Sequence, residues 1–179
     1  MTEIMEDMEH MLGAVDHEAL IRAAMCISSS DVLIMFGNGG SMANASHLVG
    51  DLLLRTPTAK TIKCIGDNAV MFSACANDYS FEEAVSIELE RSLNAEGNKT
   101  FIVFSTSGES KNILRAAKTA KKNGARVIAF LGEHLHRIEP FADIVLAVPG
   151  KKSGRIESIH AAMCHAIVDY IRWTIGEDK

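Results

Sequence analysis

The stretch Val32-Leu33-Ile34-Met35-Phe36-Gly37-Asn38-Gly39-Gly40-Ser41 runs five apolar residues straight into a glycine-rich turn, and a helical pattern follows over Ser41–Leu54. An unbroken apolar run is what a strand buried on both faces needs, because crossover helices cover both sides of a parallel sheet. Outward from this unit the same alternation recurs. Thr61–Ile65, Thr100–Ser105, Arg126–Leu131 and Ile144–Val148 read as further strands, and Ala69–Ala76, Phe81–Leu93, Ser110–Lys122 and Ile156–Ile175 as helices. Such alternation predicts an α/β fold with a parallel sheet covered by helices. Ahead of the first strand, Thr2–Leu12 and His17–Ser28 predict two more helices, a candidate packing surface between subunits. Pro149–Gly154 reads as a loop leading into the last helix.

The chain has 179 residues, 47% of them hydrophobic, enough for one domain over 1–179, with a helical pair at 1–29 and an α/β core at 30–179. Its apolar runs fall far short of the roughly 20 residues of a membrane span. The first residues are acidic (Glu3, Glu6, Asp7, Glu9), unlike a secretory signal, so a cytoplasmic location is expected. Cys26, Cys64, Cys75 and Cys164 have no paired spacing and read as reduced core residues. A net charge of −5 argues against nucleic acid as a partner. It does not exclude a small anion, which helix N-termini hold without net positive charge.

Two loops suit such an anion. In Gly37–Ser41, three glycines allow close backbone approach before a helix start. Met42 stands where a dinucleotide fingerprint has its third glycine, and no P-loop lysine follows, so a plain tight turn and a ligand loop both fit. In Ser105-Thr106-Ser107-Gly108-Glu109-Ser110, four hydroxyl residues in six exceed what one N-cap requires. Both loops lie at the C-terminal ends of strands, where open α/β sheets bind ligands.

On the helix from Ser41, steps of 100° gather Ser41, Asn44, His47, Asp51 and Arg55 within an arc of about 120°. A solvated helix face would favour Lys and Glu over this Asn, His and Asp content. In the mostly apolar last helix, Glu157, His160 and His165 stand out and need partners; His160 reads as a hydrogen-bonded core histidine.

Gly37-Asn38-Gly39-Gly40-Ser41, Ala76-Asn77-Asp78-Tyr79, Ser105-Thr106-Ser107-Gly108 and Arg155-Ile156-Glu157 with His160 and His165 together resemble the sedoheptulose-7-phosphate isomerase family, from about residue 30 to the C-terminus. The resemblance implies the sugar isomerase (SIS) fold, a flavodoxin-like α/β/α sandwich with five parallel strands. It also implies a homotetramer with sites between subunits, and conversion of sedoheptulose 7-phosphate to D-glycero-D-manno-heptose 7-phosphate.

Carried over residue by residue, Asn38, Gly39, Gly40 and Ser41 line the sugar, with Arg55, Asn77, Asp78 and Glu157 also contacting substrate. Ser105, Thr106, Ser107 and Ser110 hold the phosphate. An aldose–ketose isomerisation through an enediol needs two acid/base groups, and Asp51 and His165 are the candidates. His47, Asp51, Glu157 and His165 match positions that bind zinc in some members, implying one zinc per subunit. In the implied tetramer, His47 and Asp51 face Glu157 and His165 across a shared cleft.

Three positions depart from the family pattern: Asp51 replaces Glu, Glu157 replaces Gln, and Gly154 stands where a hydroxyl or acidic residue is usual. Two other readings are a non-catalytic SIS protein that binds a sugar phosphate or associates with the replication initiator, and an isomerase of another ketose phosphate. His47, Asp51 and His165 favour an enzyme.

Overall fold

The computed structural model describes residues 1–57, 61–133 and 137–177. Five strands, β1 (Val32–Gly37), β2 (Thr61–Cys64), β3 (Lys99–Ser105), β4 (Arg126–Leu131) and β5 (Ile144–Ala147), form one sheet in the order β2-β1-β3-β4-β5. All pairings are parallel. Seven helices surround it among the described residues: α1 (Thr2–Gly13), α2 (His17–Ser28), α3 (Gly40–Arg55), α4 (Ala69–Asp78), α5 (Phe81–Ser92), α6 (Lys111–Lys122) and α7 (Ser153–Thr174).

Alternation along each strand explains the continuous apolar runs. Leu33, Met35, Ile102, Phe104, Ile128 and Phe130 face a layer that contains α2, α3 and α7. Ile34, Phe36, Phe101, Val103, Val127 and Ala129 face the other side, against α5 and α6. Both faces are covered, so a polar residue on either needs a partner there, as buried Thr100 finds in the Ser30 hydroxyl at 2.8 Å.

The chain leaves β1 outward to β2 and returns to β3 on the other side of β1. The strand order therefore reverses between β1 and β3, and β1 pairs with β3 up to Gly37 opposite Phe104. The two predicted loops follow these neighbouring strand ends, at the topological switch point where doubly wound sheets take ligands.

Element ends differ from the sequence reading in small ways with local causes. Ile65 and Val148 lie just past β2 and β5, yet their N–H groups still bond to Met35 O and Leu131 O at 2.9 Å. α7 starts at Ser153, so the predicted loop over Pro149–Gly154 overlaps its first two residues. The N–H groups of Arg155 and Ile156 close on Lys152 O at 2.9 and 3.1 Å, which carries Gly154 into the first helical turn. A short 3₁₀ turn at Glu139–Phe141 was not foreseen.

α1 buries only Met11 among its own residues and is tied to α7 by an ion pair between Asp7 and Arg155. All four cysteines are buried thiols. No described helix is long and apolar enough to cross a membrane.

Candidate active site

After β1 the backbone turns through Gly39, whose φ of +58° is accessible to glycine and strained for most other residues. Gly40 then opens α3 directly against α7: a Cβ there would collide with the carboxylate of Glu157. A second link lies one turn on, where Asn44 Nδ2 donates to Glu157 O at 2.8 Å. Glu157 thus meets the start of α3, while His165 meets its middle, so α3 and α7 run side by side in the same direction.

At the N-terminal end of this pair lies a small cavity of about 130 Å³, walled by Ser41 from α3, Ser105, Thr106 and Ser107 from the β3–α6 loop, and Ser153 and Glu157 from α7. Asn38 and Ser110 complete its polar wall. The starts of α3, α6 and α7 all reach it, so three positive dipole ends favour an anion there, opposed by the Glu157 carboxylate in the same wall. Among the described residues no Lys or Arg lines it.

The hydroxyl loop is pre-folded by its own side chains. Ser105 Oγ accepts from Gly108 N–H at 3.0 Å and Ser107 Oγ from Glu109 N–H at 3.3 Å. Ser110 caps α6 without a side-chain capping bond, which leaves its hydroxyl available on the cavity side.

Asn38 is held by a residue that the sequence reading missed. Asn112 Nδ2 donates to Asn38 Oδ1 at 2.9 Å and Asn38 Nδ2 donates back to Asn112 Oδ1 at 3.2 Å. Asn112 Oδ1 also accepts Ile113 N–H at 2.9 Å, and its side chain is buried. An Asn in the first turn of the helix behind the hydroxyl loop was the available signal. Ser153 was missed because the loop was expected to run past it; Thr106 Oγ1 donates to Ser153 Oγ at 3.3 Å.

Further along the two helices, the polar stripe of α3 lies at the seam with α7, with Asp51 buried and His47 and Arg55 still open to solvent. His47 Nε2 and His165 Nε2 are 2.8 Å apart. Asp51 Oδ2 lies 3.3 Å from His47 Nε2 and 3.7 Å from His165 Nε2, and its other oxygen pairs with Arg55 Nε at 3.2 Å. Asp51 is buried, whereas both imidazoles are exposed. Without a cation, one imidazole N–H must donate to the other ring's lone pair.

The three donor atoms also fit a divalent metal. Their separations of 2.8, 3.3 and 3.7 Å bracket the roughly 3.3 Å edge of a tetrahedron with zinc–ligand bonds of about 2.0–2.1 Å. Two imidazole nitrogens and one carboxylate suit zinc and leave a fourth position open. Cys164 is adjacent but does not join the cluster; burial and then the Asp51 charge push its thiol well up.

Other expected site residues fall elsewhere. Glu157 does not join the cluster of His47, Asp51 and His165; eight residues of α7 rise by about 12 Å, which leaves Glu157 at the anion cavity. Within one chain, His47 and Asp51 meet His165 directly. Asn77 and Asp78 end α4, exposed and bonded to each other at 3.0 Å, and neither lines the cavity. His160 is the core histidine expected: fully buried between Phe104 and Phe130, with Nε2 3.1 Å from Leu131 O.

A five-stranded parallel sheet with a cation-free hydroxyl cradle at its switch point defines the SIS class, and residues 1–132 match the SIS domain family model. The phosphoheptose isomerase of Mycobacterium tuberculosis is 37% identical over 143 residues, covering 78% of this chain and 71% of that protein. The phosphoheptose isomerase of Leptospira biflexa is 35% identical over 153 residues, covering 81% and 76%. The solved phosphoheptose isomerase of Neisseria gonorrhoeae superposes with a TM-score of 0.83 at 26% identity, over 96% of this chain and 94% of that one. The chain belongs to the phosphoheptose isomerase family of SIS-domain proteins.

Proposed function

We propose that this protein isomerises sedoheptulose 7-phosphate to D-glycero-D-manno-heptose 7-phosphate through an enediol, in the cytoplasm, as a homotetramer. The observation that carries the reading is the spacing of two sites on the parallel α3/α7 pair. From Ser41 to His47 the helix rises about 9 Å, and from Glu157 to His165 about 12 Å. In an extended ketoheptose 7-phosphate, the seven bonds from C2 to phosphorus span roughly 9 Å, given bond lengths near 1.5 Å. A phosphate in the cavity therefore puts C1 and C2 at His47, Asp51 and His165, whereas a three- or four-carbon chain falls short.

In the reaction, a base removes a proton from C1 as O2 gains one, giving the enediol. A proton then returns to C2 while O1 loses its own, leaving the aldehyde. In the metal-free site Asp51 and His165 are the acid/base pair. Arg55 orients the Asp51 carboxylate, and Ser105, Thr106, Ser107 and Ser110 with the helix N–H groups anchor the phosphate. Asn38, Gly39, Gly40, Ser41 and Glu157 shape the path between the two ends. One zinc per subunit, held by His47, Asp51 and His165, would polarise the carbonyl oxygen of the bound sugar.

Support for assembly comes from surface left uncovered. α4 is apolar yet buries only Cys75, and Ile4, Met5, Leu12, Ile21 and Met25 of the first two helices are exposed. An assembly that covers them could also bring Asn77 and Asp78 to a neighbouring site.

The test is incubation of sedoheptulose 7-phosphate and a panel of shorter ketose phosphates in deuterated water, followed by proton NMR. The heptulose phosphate is expected to give the aldose signal with solvent deuterium at C2. Failure of exchange on every sugar phosphate would remove the enzyme reading, and faster turnover of a pentulose phosphate would remove the heptose assignment. Light scattering and elemental analysis check the tetramer and the zinc separately.

A further inference from the structure

We propose that a groove on the outer side of α6 is a second anion site, one that takes a small molecule carrying a pyrophosphate group. It is a cavity of about 490 Å³ lined by Lys111, Arg115, Lys118, Arg137, Phe141 and Glu82. Lys111, Arg115 and Lys118 are spaced i, i+4 and i+7, within an arc of about 60° and along about 10 Å of helix. Arg137 closes the groove from the segment before the 3₁₀ turn. None of these residues belongs to the cradle or the histidine cluster.

The charges do not balance. Lys111 pairs with Glu82 at 3.0 Å, Arg115 with Glu83 at 2.6 Å, and Arg137 with Glu109 at 3.9 Å. Among the described residues no carboxylate pairs with Lys118, whose Nζ sits 5.3 Å from the Phe141 ring centroid. The groove wall itself thus carries four cations and one carboxylate, Glu82, on a chain whose net charge is −5. The three ion pairs are all solvent-exposed and so hold their partners weakly. A pyrophosphate makes forked contacts to guanidinium as a carboxylate does, and in addition bridges several of these cations at once, which single carboxylates cannot. One phosphate would engage only part of a 10 Å stripe, which is why two linked phosphates fit better. Phe141 and Leu114 supply an apolar wall beside the cations, suited to the organic part of such a ligand.

The experiment is isothermal titration calorimetry of the full-length protein with inorganic pyrophosphate, ADP and inorganic phosphate, in magnesium-free buffer at two salt concentrations. Pyrophosphate should bind more tightly than phosphate and weaken with salt. The double variant Arg115→Ala/Lys118→Ala should lose roughly tenfold in affinity, the scale of two exposed charged contacts, with circular dichroism confirming an unchanged fold. Ser105→Ala/Ser107→Ala should leave pyrophosphate binding unchanged, which separates the groove from the cradle. ADP binding more tightly than pyrophosphate, with the gain lost in Phe141→Ala, would identify a nucleotide; equal affinities would identify the diphosphate alone. The inference is overturned if pyrophosphate binds no better than phosphate, if the Arg115/Lys118 variant binds as wild type, or if only the serine variant loses binding.

Discussion

Acid should weaken this fold through His160. The imidazole is fully buried, its Nε2 3.1 Å from Leu131 O, and its Nδ1 has no partner among the described residues. Burial lowers its pKa from 6.5 to about 4, only partly opposed by the bond to Leu131. Because the folded pKa is depressed, the unfolded chain binds the extra proton between pH 6.5 and 4, and stability falls with pH across that window. Below about pH 4 both states are protonated and the loss is complete. The linkage relation gives about 2 kcal/mol lost by pH 5 and about 3 kcal/mol by pH 4. Carboxylates titrate in the same range, so the informative quantity is a difference. His160→Gln keeps a nitrogen donor for Leu131 and removes the titration. Urea denaturation at pH 7.5, 6, 5 and 4 should show wild type losing about 2–3 kcal/mol more than the variant. Parallel pH profiles for the two proteins would refute the assignment of a neutral, proton-excluding His160.

Asp51→Asn and His165→Ala should each slow solvent deuterium exchange at C1 and C2 by about 10²–10⁴-fold, measured by NMR on folded protein; wild-type rates in both would exclude the pair. Gly40→Ala should raise the KM for the sugar phosphate and lower the urea midpoint, because its Cβ meets the Glu157 carboxylate, and adding Glu157→Ala should restore the midpoint. Asn112→Ala strands the Asn38 amide and should cost about 1–3 kcal/mol of stability, with a rise in KM if Asn38 contacts the sugar. Added zinc should raise the Tm of chelator-treated wild type but not that of a His47→Ala variant, read by calorimetry without substrate.

Much of the fold is legible in the sequence because local chemistry and tertiary burial agree. β4 runs Arg126–Leu131 as its apolar content predicts, and α2 runs His17–Ser28, opened by Asp16, whose carboxylate accepts Ala19 N–H at 3.0 Å. The stripe on α3 was readable for the same reason: periodicity assigns each residue to a face of its own helix. It cannot say where along a distant helix that face will be met. Asn44 and Glu157 are 113 positions apart, as are Asn38 and Asn112 by 74, and such contacts depend on packing registers that no single window contains. The split between Glu157 and the histidine cluster was hidden in that way.

Gly40 connects these observations. With no side chain, it lets Glu157 lie against the start of α3, and Asn44 fixes the same point with a hydrogen bond to the Glu157 carbonyl. Those two contacts set the axial register of α7 on α3. Given that register, the pitch of an α-helix leaves His165 little freedom: two turns on from Glu157 it must come opposite His47 and Asp51, where it lies 2.8 Å from one and 3.7 Å from the other. A glycine in the anion turn therefore governs geometry about 10 Å away. A one-residue slip of α7 would move His165 by about 1.5 Å along the axis and 100° around it, enough to separate it from Asp51 while leaving the sheet and the hydroxyl loop intact.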